Sequence, residues 1–451
     1  MSWLNSRAVI AILAAGLLLR FWNLDGKSLW LDEAYSVWRA SQSPGDIWAI
    51  TSDPHPPLYY LLLHVVVSLG GSEAVARVPS AMASLVCVGL VLVLGRRLVS
   101  RPVALFAAAL VAVSPVDLWY AQEARMYAFV AAATLLAAVG VVTGRWPGLL
   151  MLVIGLTLGI YLDYVMLPLW VALSTVWMVF SWKHGHLIRT LPVWLVGSLV
   201  AGFAAGPLWA RLHGTLSQQV AGSYVTRNLH RFIDLPGLTG SNYALLLAAT
   251  AMLAAIGSAL LWSLLARPRT QVVSAVLIAG IFLIATALMP VPRFYTLKKF
   301  ALLVWPFIAL LVAWSAARIT RWRAHVAWLL LVVSLGASAV NVMAIAKDDW
   351  RGLVWYVNTH VPPGEPVWLD PAWDSMAYDH YSPARPPASS EPGASLSGSL
   401  HSHPAVWLVV RRRLGAAVPG SASEAWLDGH ATLTRRVPFA RLELRRYVPT
   451  P

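Results

Sequence analysis

AVARVPSAMASLVCVGLVLVLG (residues 74–95) and PVALFAAALVAVSPVDLWY (residues 102–120) are apolar runs joined by six residues, three of them arginine. As helices rising 1.5 Å per residue they reach about 33 and about 28 Å, enough for a hydrocarbon core about 30 Å thick. Arginines gathered in a short loop between two such runs mark the cytoplasmic side of a membrane. The pair reads as a transmembrane hairpin, and the rest of the chain repeats its pattern.

Further runs of membrane length fall at 7–22, 124–143, 147–165, 166–182, 190–210, 243–265, 271–289, 300–317 and 324–345, which makes eleven candidate spans. Basic clusters recur in alternate loops: Lys183 with Arg189, Arg267 with Arg269, and Arg318, Arg321 and Arg323. The other loops collect acid, with Asp32, Glu33, Asp46, Asp53, Glu73 and Asp234. This parity predicts a multi-pass protein of the inner or plasma membrane, with N-terminus inside and C-terminus outside. The first run ends in Leu19-Arg20-Phe21-Trp22, a basic and aromatic interfacial anchor without a cleavage region, so it reads as an uncleaved span.

Composition agrees. Of 451 residues 58% are hydrophobic and only 12% charged, about half the share in soluble domains. An ordinary cytosolic enzyme, a disordered chain and a disulfide scaffold are excluded. The net charge of +14 does not signal nucleic acid, because most basic residues sit in short clusters between apolar runs. The single cysteine, Cys87, forms no intrachain disulfide.

Two regions depart from the pattern. Residues 57–69, Pro-Leu-Tyr-Tyr-Leu-Leu-Leu-His-Val-Val-Val-Ser-Leu, are apolar but reach only about 20 Å as a helix. They read as an interfacial helix with Tyr59 and Tyr60 at headgroup level, closing a first outer loop over 25–56. Residues 1–346 thus form the membrane domain. Residues 347–451 read as a small extracytoplasmic α/β domain. Its helix opens at Asp348-Asp349, its strands fall near 365–370, 405–411 and 440–447, and a Pro/Ser/Gly-rich linker occupies 382–404.

Ionisable residues are few within the spans, and none forms the ordered acid–histidine chain of a proton relay. They concentrate in the first outer loop. Asp32 and Glu33 lie together among apolar and aromatic residues, which suits a general base with a raised pKa or, equally, a helix cap at Asp32. Asp53-Pro54-His55-Pro56-Pro57 is a rigid turn, and one Asp-x-His pair falls short of a metal signature. A third cluster, Ser114-Pro115 through Gln122-Glu123-Ala124-Arg125-Met126-Tyr127, sets Glu123 and Arg125 at the end of a span, as a functional pair or a snorkelling ion pair.

Taken as a set, Leu31-Asp32-Glu33-Ala34-Tyr35, His55-Pro56-Pro57-Leu58-Tyr59-Tyr60, Arg77-Val78-Pro79-Ser80 and the 114–127 cluster resemble the bacterial membrane glycosyltransferases of the C-type (GT-C) superfamily. The likeness is nearest to relatives of protein O-mannosyltransferases and lipid A aminoarabinose transferases, and it covers residues 18–130. It implies an all-α polytopic GT-C fold and transfer, with inversion, of a sugar from a polyprenyl-phosphate donor. The acceptor would be a lipid, glycan or protein hydroxyl on the outer face. It implies Asp32 as base, Glu33 as its support, and a substrate-binding set of Asp53, His55, Tyr59, Glu123, Arg125, Tyr127 and Lys299. Lys299-Phe300 stands where relatives often carry Arg-Tyr, with Arg293 as a rival for the phosphate. Relatives often show histidine near Tyr161-Leu162-Asp163-Tyr164, and Asp163 stands there instead, so no metal or other cofactor is expected. A lipid or glycan transporter is the alternative, which predicts broken helices in matching halves. The residues name neither the sugar nor the acceptor.

Overall fold

Apolar runs become helices here, and the prolines within them decide where the helices break. The computed structural model describes residues 7–49, 55–143, 145–167, 169–171, 173–174, 187–208, 297–318, 323–344, 347–370, 374–382, 387, 394–412 and 422–450. The helices are α1 (Arg7–Phe21), α2 (Leu31–Ala40), α3 (Pro44–Ala49), α4 (Leu58–Val67), α5 (Glu73–Leu98), α6 (Arg101–Ala112), α7 (Pro115–Ala121), α8 (Tyr127–Thr143) and α9 (Arg145–Leu162). Leu187–Ala204, Leu297–Arg318 and Arg323–Ala344 follow. Among the described residues, α5 is the single unbroken helix long and apolar enough by itself to cross a membrane. The expected spans at 243–265 and 271–289, and most of 166–182, lie outside the described residues.

The run at 102–120 is not one straight span. It bends by 56° between α6 and α7. Pro115 cannot continue the hydrogen-bond ladder, and Ser114 starts a new helix by accepting from the Asp117 amide at 3.2 Å. The break frees carbonyls, and buried side chains satisfy them. Arg20 donates to Ala112 O at 3.0 Å and Val111 O at 3.3 Å, and the Ser334 and Ser338 hydroxyls donate to Val113 O. Arg20 is therefore fully buried, not the interfacial anchor expected from its flanking aromatics.

α5 packs on α1, α6, α7 and α8 at the centre of the bundle, and α8 pairs with α9. Small residues permit that last approach. A Cβ on Gly155 would stand 2.6 Å from the Ala133 carbonyl oxygen, so the backbones meet without side chains between them. Large apolar side chains such as Leu18, Val65, Trp146, Leu199, Phe203 and Trp328 face outward, as on a surface solvated by lipid.

Beyond Lys347 the chain changes class. The helix Trp350–His360 is capped by the Asp349 carboxylate, which accepts from the Gly352 amide at 2.9 Å. The strands β1 (Val367–Asp370), β2 (Val406–Arg411), β3 (Ala431–Phe439) and β4 (Leu442–Pro449) form one sheet in the order β1-β2-β4-β3. β1 and β2 run parallel and the other neighbours antiparallel. Within the stretch read as a linker, Ala394–Ser402 is helical, because Leu396 and Leu400, one turn apart, bury against Trp368 and Val406. β3 escapes the sequence reading because it is an edge strand whose Thr434, Arg435 and Arg436 are exposed.

This region is stitched to the first loop. Ser28 Oγ donates to Asp348 O at 2.7 Å, and the Leu29 amide donates to the Tyr381 hydroxyl at 2.7 Å. Tyr381 in turn donates to Glu73 at 2.6 Å. The helix Ser375–Tyr381 packs on α2, which carries Asp32 and Glu33.

Candidate active site

α2 begins after an extended Trp30 at the N-cap, so Asp32 and Glu33 occupy its first turn; Asp32 does not cap it, while Glu33 Oε2 accepts from the Trp30 amide at 3.5 Å. Carboxylates there gain from the exposed amides of the helix start. Their side chains then part ways. Glu33 is fully buried and is a hub for four segments. It accepts from Arg77 Nε at 2.8 Å and Nη2 at 3.0 Å, from Lys347 Nζ at 2.9 Å and from the Ala124 amide at 2.9 Å. Burial alone would push its carboxyl up, but Lys347 and Arg77, with the Arg77 and Ala124 hydrogen bonds, hold it down at about 2. Arg77 also donates to Leu24 O, Lys27 O and Ser28 O, fixing the loop before α2.

Asp32 is half-buried, and among the described residues its carboxylate accepts no hydrogen bond. Its backbone oxygen is held by Ser36 Oγ at 2.9 Å and Arg125 Nη1 at 3.3 Å. Arg125 stands in the short loop between α7 and α8. Its guanidinium also donates to Ser36 Oγ at 3.1 Å and lies 5.6 Å from the Tyr127 ring centre. The Arg125 Nε–H has no acceptor among the described residues although it is buried. Ser80 holds the Arg125 backbone oxygen at 3.0 Å, so Arg77 and Ser80, one turn apart on α5, secure the carboxylate hub and the arginine loop together.

His55 joins this cluster. Its Nε2 is 3.1 Å from Arg125 Nη2, and its Nδ1 is 3.5 Å from Asp163 Oδ2. A guanidinium only donates, so Nε2 accepts and the imidazole proton sits on Nδ1, toward Asp163. Asp163, the departure from the histidine common in relatives, is thus drawn to the histidine of another segment. Glu123 is buried, 4.0 Å from Lys347 Nζ. Tyr59 and Tyr60 are fully buried, because α4 turns them toward Tyr35 and Phe129. Tyr127 stacks edge-on against Tyr120 at 5.2 Å. Asp53 and Arg293 lie outside the described residues, as does the Lys299 side chain, though its backbone begins the helix Leu297–Arg318.

The structure therefore gathers Asp32, Glu33, His55, Glu123, Arg125 and Tyr127. It adds Arg77, Lys347 and Asp163, to which the sequence reading gave no role. Arg77, a buried charge near the start of an apolar helix and part of the 77–80 motif, was a usable signal. Lys347 carried none, being one more basic residue at the end of a run. Among the described residues no three His, Cys, Asp or Glu side chains converge as a metal cage would require.

Chemically the cluster presents a carboxylate clear of competing donors beside a buried guanidinium with a spare N–H, an arrangement suited to moving a proton next to a negatively charged group. The family model for dolichyl-phosphate-mannose-protein mannosyltransferases matches residues 54–210, which contain His55, Arg77, Arg125 and Asp163. The fold agrees with that of ArnT from Cupriavidus metallidurans in the apo state, with 14% identity, 97% of each chain covered and a TM-score of 0.60. The chain resembles the C-type membrane glycosyltransferases in fold, and its residues 54–210 resemble the mannosyltransferase family. The same Cupriavidus protein bound to undecaprenyl phosphate aligns with a TM-score of 0.59, at 14% identity over 97% of each chain. The Archaeoglobus fulgidus oligosaccharyltransferase in complex with Zn and sulfate aligns with a TM-score of 0.58 at 14% identity, over 89% of this chain and 67% of that chain. Comparison of the sequence with curated proteins finds no match.

Proposed function

We propose that this chain is a glycosyltransferase that moves a sugar from a polyprenyl-phosphate donor to an acceptor hydroxyl at the outer membrane surface, with inversion at the anomeric carbon. Asp32 takes the proton of the acceptor hydroxyl as its oxygen bonds to the anomeric carbon. The bond from that carbon to the phosphate oxygen breaks, and its electron pair leaves on the lipid phosphate. Arg125, oriented by His55 and Ser36, stabilises the charge that develops there, usually the largest catalytic contribution. Glu33 keeps both in place without itself exchanging protons, since its carboxyl is held at about 2.

The observation that supports this reading most directly is the Asp32–Arg125 juxtaposition: a half-buried carboxylate with no hydrogen bond among the described residues, beside a buried arginine that holds its backbone. The Cupriavidus relative in complex with undecaprenyl phosphate supports a lipid-phosphate donor. The same reading takes residues 1–346 as the membrane domain and residues 347–451 as an extracytoplasmic cover over α2. Purified protein should turn over polyprenyl-phosphate sugars in detergent and ignore soluble nucleotide sugars. Efficient use of a nucleotide sugar alone rejects the proposal.

A further inference from the structure

Asp163 stands where α9 ends, and its two carboxylate oxygens serve different segments. Oδ1 accepts from the Val165 amide at 3.0 Å, while the Asp163 backbone oxygen accepts from the Met166 amide at 3.1 Å. Those bonds start the next helical turn, a task that asparagine performs about as well as aspartate. Oδ2 lies instead 3.5 Å from Nδ1 of His55, and both side chains are buried. Across the imidazole, Nε2 is 3.1 Å from Arg125 Nη2, part of the guanidinium that also holds Ser36 Oγ and Asp32 O. A carboxylate beside Nδ1 favours an N–H there, and a guanidinium beside Nε2, able only to donate, favours a lone pair there. Both neighbours select the same tautomer.

We propose that Asp163 is a positioning residue: it keeps the His55 proton on Nδ1, so that the Nε2 lone pair holds Arg125 beside Asp32. Its effect on rate rests on the transfer reaction proposed above; its effect on the ring does not. Asp163→Asn preserves size and the helical turn yet reverses the contact with His55. The buried Val165 amide needs an acceptor, so the one oxygen of asparagine stays on it and the NH2 group faces Nδ1. The ring must then accept at Nδ1 and carry its proton on Nε2, where an N–H meets the N–H of Arg125. The arginine loses its acceptor on that side and keeps those of α2 and the Tyr127 hydroxyl.

The test is NMR of the full chain in phosphatidylcholine nanodiscs at neutral pH, with nitrogen-15 label in histidine and His55→Gln identifying the His55 signals. Wild-type His55 should carry its proton on Nδ1 alone, and Asp163→Asn should move it to Nε2 without lowering the unfolding temperature. Sugar transfer from a polyprenyl-phosphate donor should then slow by about 10–100-fold, the worth of one hydrogen bond to a charged group. That loss should fall on kcat and not on the donor KM, because the charge that Arg125 meets develops in the transition state. A residue that only starts a helical turn predicts an unchanged ring and wild-type rates in Asp163→Asn. Wild-type His55 protonated on Nε2 or on both nitrogens, an unchanged tautomer in Asp163→Asn, or a changed one with wild-type transfer, overturns the proposal. A wild type that transfers no sugar overturns the transferase reading, and the ring signals, read without turnover, still uphold or overturn the hold of Asp163 on His55.

Discussion

Replacing Glu33 by glutamine tests the organisation of the site more sharply than any change to the base. A carboxyl held at about 2 instead of its ordinary 4.5 is stabilised by about 3 kcal/mol at neutral pH, since each pKa unit is worth about 1.4 kcal/mol. The glutamine keeps one carbonyl acceptor but leaves the buried Arg77 and Lys347 without the carboxylate they share, and breaking a buried pair costs about 3–5 kcal/mol. The two routes agree on a loss of about 3–5 kcal/mol. The assay is denaturant unfolding in mixed micelles, run on wild type, Glu33→Gln, Lys347→Met and the double variant. The double variant should lose less than the sum of the singles, by about 1–3 kcal/mol, because the pair is in direct contact. The pH dependence has a fixed sign. A depressed carboxyl contributes fully above 4.5 and loses its contribution as pH falls toward 2, so the gap between wild type and Glu33→Gln should be full at neutral pH and narrow in acid. Equal stability of the two proteins at neutral pH, or strict additivity with Lys347→Met, would refute the hub.

Asp32→Asn should fold like wild type, since Asp32 neither caps α2 nor accepts a hydrogen bond among the described residues; transfer should drop by about 10²–10⁴-fold, and an active Asp32→Asn enzyme beside a dead Asp53→Asn one would move the base. Arg125→Gln should raise the barrier of the transfer step by about 2–4 kcal/mol, and Arg125→Lys should recover it only in part, because an ammonium lacks the planar fork whose two Nη atoms reach Ser36, Asp32 O and His55; wild-type donor kinetics in both would place the phosphate elsewhere. Cysteine labelling after Arg323 and after Lys347 should report opposite faces of the membrane, and the same face for both would break the eleven-span topology.

What the sequence made legible was local. α5 lies where the run at 74–95 predicts it, and Asp349 caps its helix as its spacing suggests. β2 follows the apolar stretch at 405–411 within one residue. The motif at 31–35 and that at 122–127 converge in space, as a shared chemistry requires. What stayed hidden depends on partners far along the chain. Nothing around Arg20 announces that the α6–α7 break, some ninety residues later, would supply its acceptors. Asp163 reads as a mere departure until His55 is found 3.5 Å away. Periodicity reports which face of an element is apolar, and it is silent on which buried charge meets which.

The bond from Lys347 to Glu33 joins residues 314 positions apart, and that separation sets a schedule. At ribosomal speeds of about 5–20 residues per second, α2 is made roughly 15–60 s before the lysine that neutralises it. Through that interval Glu33 has Arg77 for company, but the loop carrying Ala124 and Arg125 lacks the ammonium that also grips Gln122 O. A nascent chain stopped short of Lys347 would hold every motif residue of the first 130 positions and still lack the ammonium that binds Glu33 and Gln122 O. Synthesis past Lys347 is therefore required before the Glu33 hub can close, and fragments that end before it should insert in the membrane with Glu33 lacking its lysine partner.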